Sequence, residues 1–158
     1  MNDLMNDSII QSNLATMQHI HTVREILHDM IKLIDERAQK HDASKLESPE
    51  QEIFGANYEK LNKTPYGSEE YQKLLEESKP ALEHHYANNR HHPQFHKNGI
   101  NGMTLIDLVE MLADWKAATK RVKNGNIRHS LEVNAKRFKM TRQLTTIFEN
   151  TVREIFKD

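Results

Sequence analysis

The sequence predicts an all-α protein, and three observations support that class. Apolar residues recur at spacings of three and four over long stretches, which is the period of an amphipathic helix. No segment alternates apolar and polar residues in the way that marks a half-buried strand. The chain has 158 residues, which suits one domain with one hydrophobic core. We therefore expect a single helical domain over residues 1–158, built from about five to seven helices.

Five helical stretches follow from this spacing and from the turn residues that separate them. The longest comes first and contains no glycine or proline. Pro80 predicts a kink or a restart within the third stretch, and Thr104 is placed to cap the fourth. The predicted stretches are residues 8–39, 50–61, 68–90, 104–122 and 127–156.

Charge and composition exclude several classes of protein. Lysine and arginine together number 22 and aspartate and glutamate 23, so the net charge of −1 provides no broad surface for nucleic acid. No apolar run approaches the ~18 residues that a membrane-spanning helix requires. The absence of cysteine removes disulfides and thiolate metal sites, and the first residues lack the pattern of a signal peptide. We expect a cytoplasmic protein.

Histidine is the unusual residue, because ten of them occur in a chain without cysteine. Imidazole and carboxylate are then the strong metal ligands that remain. His41 and Asp42 lie side by side, with Lys45 three residues on, and two histidine pairs follow at residues 84–85 and 91–92. Scattered histidines would indicate solvated surface residues, whereas clustering beside carboxylates favours a metal site.

The histidines of the first helical stretch lie on different sides of the predicted helix. His19 lies about 40° from Val23 around the helix, on the apolar stripe, whereas His21 and His28 lie near the opposite side. A polar side chain on a buried stripe requires a partner. His19 is therefore either a metal ligand or a core histidine bonded to a backbone carbonyl, and it is our candidate ligand on this helix.

The two histidine pairs form two parallel rows at the end of the third stretch, where Pro93 is expected to stop the helix. His85 and His92 share a helix face with Asn89 at spacings of three and four. His84 and His91 form the row one residue back. We choose His85 and His92 as metal ligands on this basis, and the other row remains open.

Three acidic residues, Asp107, Glu110 and Asp114, fall on one side of the fourth stretch. Glu110 and Asp114 are like charges at positions i and i+4, which destabilise a helix unless a cation lies between them. Any of the three could then be a metal ligand, with Asp107 and Asp114 both open, and Glu110 or Asp107 could instead orient a ligand histidine or position water. A solvent-facing acidic stripe is the alternative to a site.

The order of these residues resembles the HD-domain superfamily of metal-dependent phosphohydrolases. His19-Ile20-His21-Thr22-Val23 is similar to its opening His-x-x-x-Val. His41-Asp42-Ala43-Ser44-Lys45 is similar to the His-Asp-x-Gly-Lys of one branch, with Ser44 where glycine is usual. Leu112-Ala113-Asp114-Trp115-Lys116-Ala117-Ala118 resembles the segment that carries the last metal aspartate. The Gly-Tyr-Pro signature of cyclic-dinucleotide phosphodiesterases is missing.

The chain also resembles, over nearly its full length, a family of small phage and bacterial proteins. The shared elements are His-Asp-x-Ser-Lys, Asn89-Arg90-His91-His92-Pro93 and Asp107-Leu108-Val109-Glu110-Met111. This second resemblance implies no activity, but it is consistent with a bacterial or phage-infected cell as the source.

The superfamily resemblance implies an HD-like helical bundle that hydrolyses a phosphate ester, in a nucleotide or a related small molecule, through a metal-activated water. It implies one or two divalent transition-metal ions, with Mn, Fe, Co, Ni and Zn as candidates. Lys45 would stabilise charge on the phosphoryl oxygens, and Asp42 is placed to bridge two metals. The expected metal ligands are His19, His41, Asp42, His85, His92 and Asp114.

Two other functions fit the same residues. Some members of the superfamily use a histidine-rich site as a di-iron oxygenase, and ligand residues alone do not separate the two reactions. A non-catalytic phage protein that binds a host target or a nucleotide is the third hypothesis. The sequence leaves the substrate, the metal and self-association into a homo-oligomer open.

Overall fold

The structure, a computed structural model, describes residues 2–65 and 68–156, without the side chains of residues 2–4 and 62. These residues form seven α-helices and three short 3-10 turns and contain no strand, so the all-α class is confirmed. The 3-10 turns are Ala43–Leu46, Pro93–Phe95 and Gly99–Gly102. The helices are α1 (Asn2–Lys40), α2 (Glu50–Lys63), α3 (Glu69–Glu77), α4 (Lys79–Asn88), α5 (Leu105–Thr119), α6 (Ile127–Arg137) and α7 (Arg142–Ile155).

The chain divides into two compact units, Met1–Gln39 and Lys40–Asp158. The first unit is a single long helix, the greater part of α1. Its described side chains are exposed, except that Ile34 and Arg37 are half-buried. No helix of the described ranges is long and apolar enough to cross a membrane.

The hydrophobic core of the second unit lies between α5, α6 and α7. Trp115 of α5 stacks against Phe138 with the two rings parallel and their centroids 6.2 Å apart. Burial of large apolar side chains of this kind supplies most of the free energy that favours folding. The buried members of this core are Met111, Leu112, Trp115, Ile127, Leu131, Phe148 and Val152.

Two of the predicted helical stretches are each divided in two. The stretch 68–90 breaks at the buried Ser78, whose hydroxyl accepts a hydrogen bond from Asn57 Nδ2 at 3.1 Å, and Pro80 then lies in the first turn of α4, where a missing N–H is tolerated. The stretch 127–156 breaks before Thr141, whose side chain caps α7. Lys139 in that break has a left-handed backbone with φ 51°, which an α-helix does not accommodate.

Periodicity predicts an apolar side of α5 formed by Leu105, Leu108, Val109 and Leu112, and only half of it faces the core. Leu112 is a buried core residue and Leu108 packs against the core. Leu105 and Val109 are 71% and 47% exposed, whereas Met111 and Trp115 are 1% and 8% exposed. The positions adjacent to the buried ones are those of the acidic residues. The acidic side of α5 therefore lies beside the core and is shielded from solvent rather than facing water.

Candidate metal centre

Four segments of the second unit bring histidine and carboxylate side chains together. They are the turn after α1, the start of α2, the end of α4 with the segment that follows it, and the middle of α5. Their side chains lie within ligand-to-ligand distance in overlapping groups. The residues that build the site are His41, Asp42, Glu50, His85, His91, His92, Glu110 and Asp114.

Asp42 lies at the centre of the site and has an unusual backbone. Its φ of 57° places it in the left-handed region, where aspartate is among the few residues besides glycine that occur regularly. Its carbonyl oxygen accepts the backbone N–H of Lys45 at 2.9 Å, which closes the 3-10 turn. A sparsely populated backbone conformation of this kind often marks a functional residue.

The two carboxylate oxygens of Asp42 face different neighbours. Oδ2 lies 3.6 Å from His41 Nε2 and 2.5 Å from Lys45 Nζ. Oδ1 lies 3.3 Å from His85 Nε2 and 3.5 Å from His91 Nε2. We call the group on Oδ2 the carboxylate side and the group on Oδ1 the imidazole side.

The carboxylate side consists of His41, Asp42 Oδ2 and Asp114. The Nε2 atom of His41 lies 3.8 Å from Asp114 Oδ1, and its Nδ1 atom lies 3.0 Å from Glu110 Oε1. Asp114 and Glu110 together raise the pKa of His41 to about 10, against the opposing effect of burial. His41 is therefore protonated at neutral pH when no metal ion is present.

The imidazole side consists of Asp42 Oδ1 and the Nε2 atoms of three histidines. His85 and His91 are 3% and 1% exposed. The Nε2 atoms of His85 and His92 are 2.8 Å apart, and the rings of His91 and His92 have centroids 4.1 Å apart. Three imidazoles and one carboxylate oxygen thus converge on one small volume.

Two further carboxylates orient these imidazoles. Glu50 is fully buried, and its two oxygens lie 2.8 Å from His85 Nδ1 and 2.8 Å from His84 Nδ1. Glu110 Oε1 is hydrogen-bonded to His41 Nδ1 at 3.0 Å, and it lies 3.1 Å from His91 Nδ1 without hydrogen-bond geometry. Carboxylates that engage Nδ1 in this way leave Nε2 to face a metal ion, which is the usual arrangement around histidine ligands.

Polar side chains also attach α4 to the turn that carries Asp42. The Asn89 amide donates to Ser44 Oγ at 2.7 Å and to the His85 carbonyl oxygen at 2.8 Å. Asn89 is buried, so these bonds are protected from competing water. The sequence motif His-Asp-x-Ser-Lys therefore uses its serine to fix the turn against His85.

The imidazole side combines an ionised carboxylate with neutral imidazoles, and this combination favours the binding of a cation. Burial, together with His91 and His85, lowers the pKa of His92 to about 3, and burial and then Lys45 lower the pKa of His85. Burial would raise the pKa of Asp42, but Lys45 and His41 outweigh it and lower the pKa, so this carboxylate is ionised. The short contact with Glu50 favours the tautomer in which the Nδ1–H of His85 donates to that carboxylate, and in this tautomer the Nε2 lone pair faces the anionic Asp42 Oδ1.

Asp42 Oδ1 is the atom for which a bound cation would make the largest difference. It is buried and has no hydrogen-bond partner in the part of the chain that the structure describes. A buried, ionised oxygen without a partner costs several kcal/mol, so such groups are paired or bind metals. A cation among Asp42 Oδ1, His85, His91 and His92 would satisfy it.

The separations of the ligand atoms fit a metal ion. Two ligand atoms that are each about 2.1 Å from one ion, at angles between octahedral and tetrahedral, lie about 3.0–3.4 Å apart. The observed Nε2–Nε2 distance of 2.8 Å and Nε2–Oδ1 distances of 3.3 and 3.5 Å are close to that range. The residues therefore form a group that could bind a metal ion, and nitrogen with oxygen ligands favours a transition metal over Mg or Ca.

A third cluster of ligand atoms, from His41, His91 and Glu110, has a different role in our interpretation. Glu110 lies within 3.0–3.1 Å of the Nδ1 atoms of both histidines. Their Nε2 atoms point instead to the oxygens of Asp42. We therefore treat Glu110 as a residue that orients His41 through a hydrogen bond and lies beside His91, rather than as a ligand.

Most of the residues predicted from the sequence meet here. His41, Asp42, His85, His92 and Asp114 form parts of the same site, with Lys45 and Glu110 in contact with its members. His19 is different: its side chain is exposed on α1, and none of the ligand groups formed by the described residues contains it. The assignment of His19 as a ligand stays a prediction.

The sequence left open which row of histidines faces the site, and the structure brings members of both rows to it. His91 belongs to the site together with His92, whereas His84 turns towards Glu50. The row argument assumed a helix through residue 92, but α4 ends at Asn88 and His92 has an extended backbone with ψ 130°. Adjacent residues in such a segment do not follow helical spacing, so both histidines reach the same centre.

Asp107 has a structural role that the sequence did not separate from that of Asp114. It completes a capping box with Thr104 at the start of α5, and its oxygens accept hydrogen bonds from Arg90 Nε and Nη2 at 3.2 Å each. The guanidinium also lies 5.3 Å from the centre of the Phe95 ring. Arg90 thus fastens the segment that carries His91 and His92 to α5.

Glu50 is the site residue that sequence analysis missed. Its sequence context is only an acidic residue in the first turn of a helix, which is common and usually solvent-exposed. Its contacts are with residues 34 and 35 positions away. Only the packing of α2 against α4 reveals that it is buried.

Comparison with known proteins gives a family and no activity. The chain belongs to the family described as "Family of unknown function (DUF5662)", whose model matches residues 8–158. No curated protein and no solved structure matches the chain.

Proposed function

We propose that this family member is a metal-dependent phosphohydrolase that cleaves a phosphate ester of a nucleotide or a related small molecule in the cytoplasm. The observation that carries the proposal is the placement of Asp42. Its two oxygens face two different sets of ligand atoms, one of them without any hydrogen-bond partner within the described residues. A carboxylate with one oxygen towards each of two groups of ligand atoms would suit two-metal phosphoryl transfer, in which two ions act together on the attacking and leaving oxygens.

The two sides of Asp42 would hold one ion each. His85, His91, His92 and Asp42 Oδ1 would hold the first, and His41, Asp114 and Asp42 Oδ2 the second. Divalent Mn, Fe, Co, Ni and Zn all accept mixed imidazole and carboxylate ligands. A bound ion of this kind supplies a water of lowered pKa and polarises a phosphoryl oxygen.

The chain's own residues have separate tasks in this proposal. Lys45 is the nearest cation, partly exposed and 2.5 Å from Asp42 Oδ2, so its ammonium can move from that oxygen to a phosphate oxygen of the substrate. There it would stabilise the negative charge that develops in the transition state. Glu50 lies on Nδ1 of His85, and Glu110 lies on Nδ1 of His41 and His91. These contacts direct three Nε2 atoms inwards, and a fixed site loses less entropy when substrate binds.

The preference for a phosphate ester rests on charge and on resemblance. Two adjacent cation sites and a lysine present positive charge to an anionic substrate, and the ordered motifs resemble HD-domain phosphohydrolases. The nucleotide part of the proposal rests on the resemblance alone.

An oxygenase is the second candidate, and one observation favours it. Three imidazoles around one carboxylate oxygen form a nitrogen-rich ligand set, which suits iron as well as the other transition metals. Oxygen uptake by the iron-loaded protein, without phosphate release, would identify this alternative. Metal binding without either reaction would identify a non-catalytic binding protein.

The test combines metal content with turnover. The full chain, purified without chelator and without a histidine tag, should contain up to two equivalents of a transition metal by elemental analysis. Each metal would be assayed with phosphomonoesters, phosphodiesters and nucleotides, with phosphate release as the readout. We expect Asp42→Asn to lose both metals and turnover while keeping its helical circular dichroism; turnover retained in this variant would overturn the proposal.

A further inference from the structure

The carboxylate of Asp42 has a cation on one oxygen and none on the other. Lys45 Nζ lies 2.5 Å from Oδ2 in a charge-assisted hydrogen bond. Oδ1 is buried and has no hydrogen-bond partner among the described residues. A metal ion on the imidazole side therefore meets an open oxygen, whereas a metal ion on the carboxylate side meets an oxygen that already has a cationic partner.

The backbone keeps Lys45 close to that oxygen. The N–H of Lys45 donates to the carbonyl oxygen of Asp42 at 2.9 Å, at the start of the 3-10 turn Ala43–Leu46. Two charged groups joined by so short a turn meet at a high effective concentration, because neither can diffuse away from the other. Lys45 is therefore an internal competitor of any ion that approaches Asp42 Oδ2.

An ammonium group and a metal ion cannot occupy this oxygen together without strong repulsion. A transition-metal ion binds a carboxylate oxygen at about 2.0–2.2 Å, so both positive charges would contact the same atom. The other ligand atoms of this side are close by, with His41 Nε2 3.6 Å from Oδ2 and 3.8 Å from Asp114 Oδ1. An ion that uses them cannot avoid Lys45, so the ammonium has to leave Oδ2 when the ion binds.

A phosphate group without a metal ion would also bind poorly on this side. Asp42, Glu110 and Asp114 all place carboxylates beside His41, and each of them repels an anion. A phosphate next to an ion compensates for both costs, because it bonds to the ion and offers the ammonium of Lys45 another oxygen. The flexible side chain of lysine allows this change of partner. Ion and phosphate thus each favour binding of the other, and such coupling is reciprocal.

We propose that Lys45 occupies Asp42 Oδ2 and excludes a second ion until a phosphate group binds, and that its ammonium then moves to that phosphate. The resting protein holds one ion, among Asp42 Oδ1, His85, His91 and His92. The substrate accordingly binds together with a divalent ion, as a metal complex of a phosphate ester. This inference rests on the proposed function, since it takes phosphate as the group that the site recognises.

Binding of Mn²⁺ with and without inorganic phosphate tests the proposal. Equilibrium dialysis of the full chain at matched free Mn²⁺ counts the bound ions, and electron paramagnetic resonance detects the spin coupling of two adjacent ions. We expect one tightly bound ion in phosphate-free buffer. Saturating phosphate should raise the affinity for a second ion about 10–100-fold, and chloride at equal ionic strength should not. Two ions bound with equal affinity in phosphate-free buffer would overturn the proposal.

Two lysine variants separate the role of Lys45 from the general affinity of phosphate for metal ions. Lys45→Met should bind the second Mn²⁺ without phosphate, and the increase that phosphate produces should be about tenfold smaller than in the wild type. Lys63→Met removes an exposed lysine that pairs with Glu59 at 3.1 Å and should behave like the wild type. An equal effect of phosphate on Lys45→Met and on the wild type would contradict the proposed movement of the ammonium.

These measurements require no turnover, so their failure differs from failure of the proposed function. A chain that takes up the second ion with phosphate but hydrolyses no ester would retain this inference and exclude the phosphohydrolase. A chain that hydrolyses an ester with both ions already bound in phosphate-free buffer would retain the phosphohydrolase and exclude this inference.

Discussion

The two sides of Asp42 use the same carboxylate but differ in charge and in ligand type. The carboxylate side contains a protonated histidine and two acids, and Lys45 lies on its oxygen. The imidazole side contains three histidines, and the pKa values of His85 and His92 are lowered, so these rings are neutral. A metal ion on the imidazole side meets lone pairs, whereas on the carboxylate side it must displace a proton and an ammonium group. Adjacent groups of ligand atoms that share one carboxylate thus need not bind metal equally well.

The largest expected effect is the selective loss of one metal from either side. His92→Ala removes an imidazole ligand, and we expect the imidazole side to lose its ion while the carboxylate side retains weaker binding. Asp114→Asn should do the reverse. Elemental analysis and titration calorimetry measure the number of ions per chain, with the exposed His129→Ala as the matched control. Identical losses in both variants would show that the two sides act as one site.

Substitution of Lys45 should change metal affinity and turnover on the carboxylate side in opposite directions. Lys45→Met removes the ammonium group 2.5 Å from Asp42 Oδ2, so metal affinity on that side should rise. If the proposed function holds, turnover should fall about 100-fold in kcat/KM, because Lys45 would no longer stabilise charge in the transition state. The control is Lys63→Met, which removes a surface lysine paired with Glu59. Unchanged kcat/KM would exclude Lys45 from the reaction.

Substitution of Glu50 should weaken metal binding on one side of Asp42, and substitution of Glu110 should weaken it on both sides. Glu50 contacts His85, so Glu50→Gln should weaken metal binding on the imidazole side by about 10–100-fold. Glu110 contacts His41 and His91, so Glu110→Gln should weaken both sides by a similar factor. Competition with a chromogenic chelator measures both affinities. An effect of Glu50→Gln on the carboxylate side alone would contradict the geometry.

The smallest expected effect is a difference between the two sides in how strongly their metal affinity depends on pH. His41 has a pKa of about 10 and must lose a proton to become a ligand, so affinity on the carboxylate side should rise about tenfold per pH unit between pH 6.5 and 9. His92 has a pKa of about 3 and is neutral throughout this range, so the imidazole side should change little. Calorimetry in two buffers of different ionisation enthalpy counts the released protons. Equal proton release from both sides would be inconsistent with these pKa values.

The same pKa values affect the stability of the metal-free protein. The raised pKa of His41 stabilises the fold fully below pH 6.5, and this contribution is lost as the pH rises towards 10. The lowered pKa of His92 acts in the opposite direction, because the unfolded chain binds the proton more readily as the pH falls below 6.5 towards 3. The metal-free chain should therefore be most stable near pH 6.5 as far as these two groups are concerned.

Periodicity predicted the helices well where the signal was long and local. The extended apolar spacing of residues 8–39 and the cap at Thr104 correspond to α1 and α5. It was wrong at the breaks within 68–90 and 127–156, because the hydrophobic pattern continues across Ser78 and Lys139 while the backbone does not. It also assigned Leu105 and Val109 to a covered side that the structure leaves exposed.

The sequence by itself determined that the protein is helical and that its chemistry belongs to histidine and carboxylate, since spacing and composition are local properties of the chain. Tertiary structure decided the rest. His41 meets Glu110 across 69 positions, and His85 meets Glu50 across 35, so no local rule selects Glu50, adds His91 to the site or separates Asp107 from Asp114. Which ring nitrogen faces the centre depends on the carboxylate that holds the other nitrogen, and only the packing of α2, α4 and α5 brings those carboxylates there.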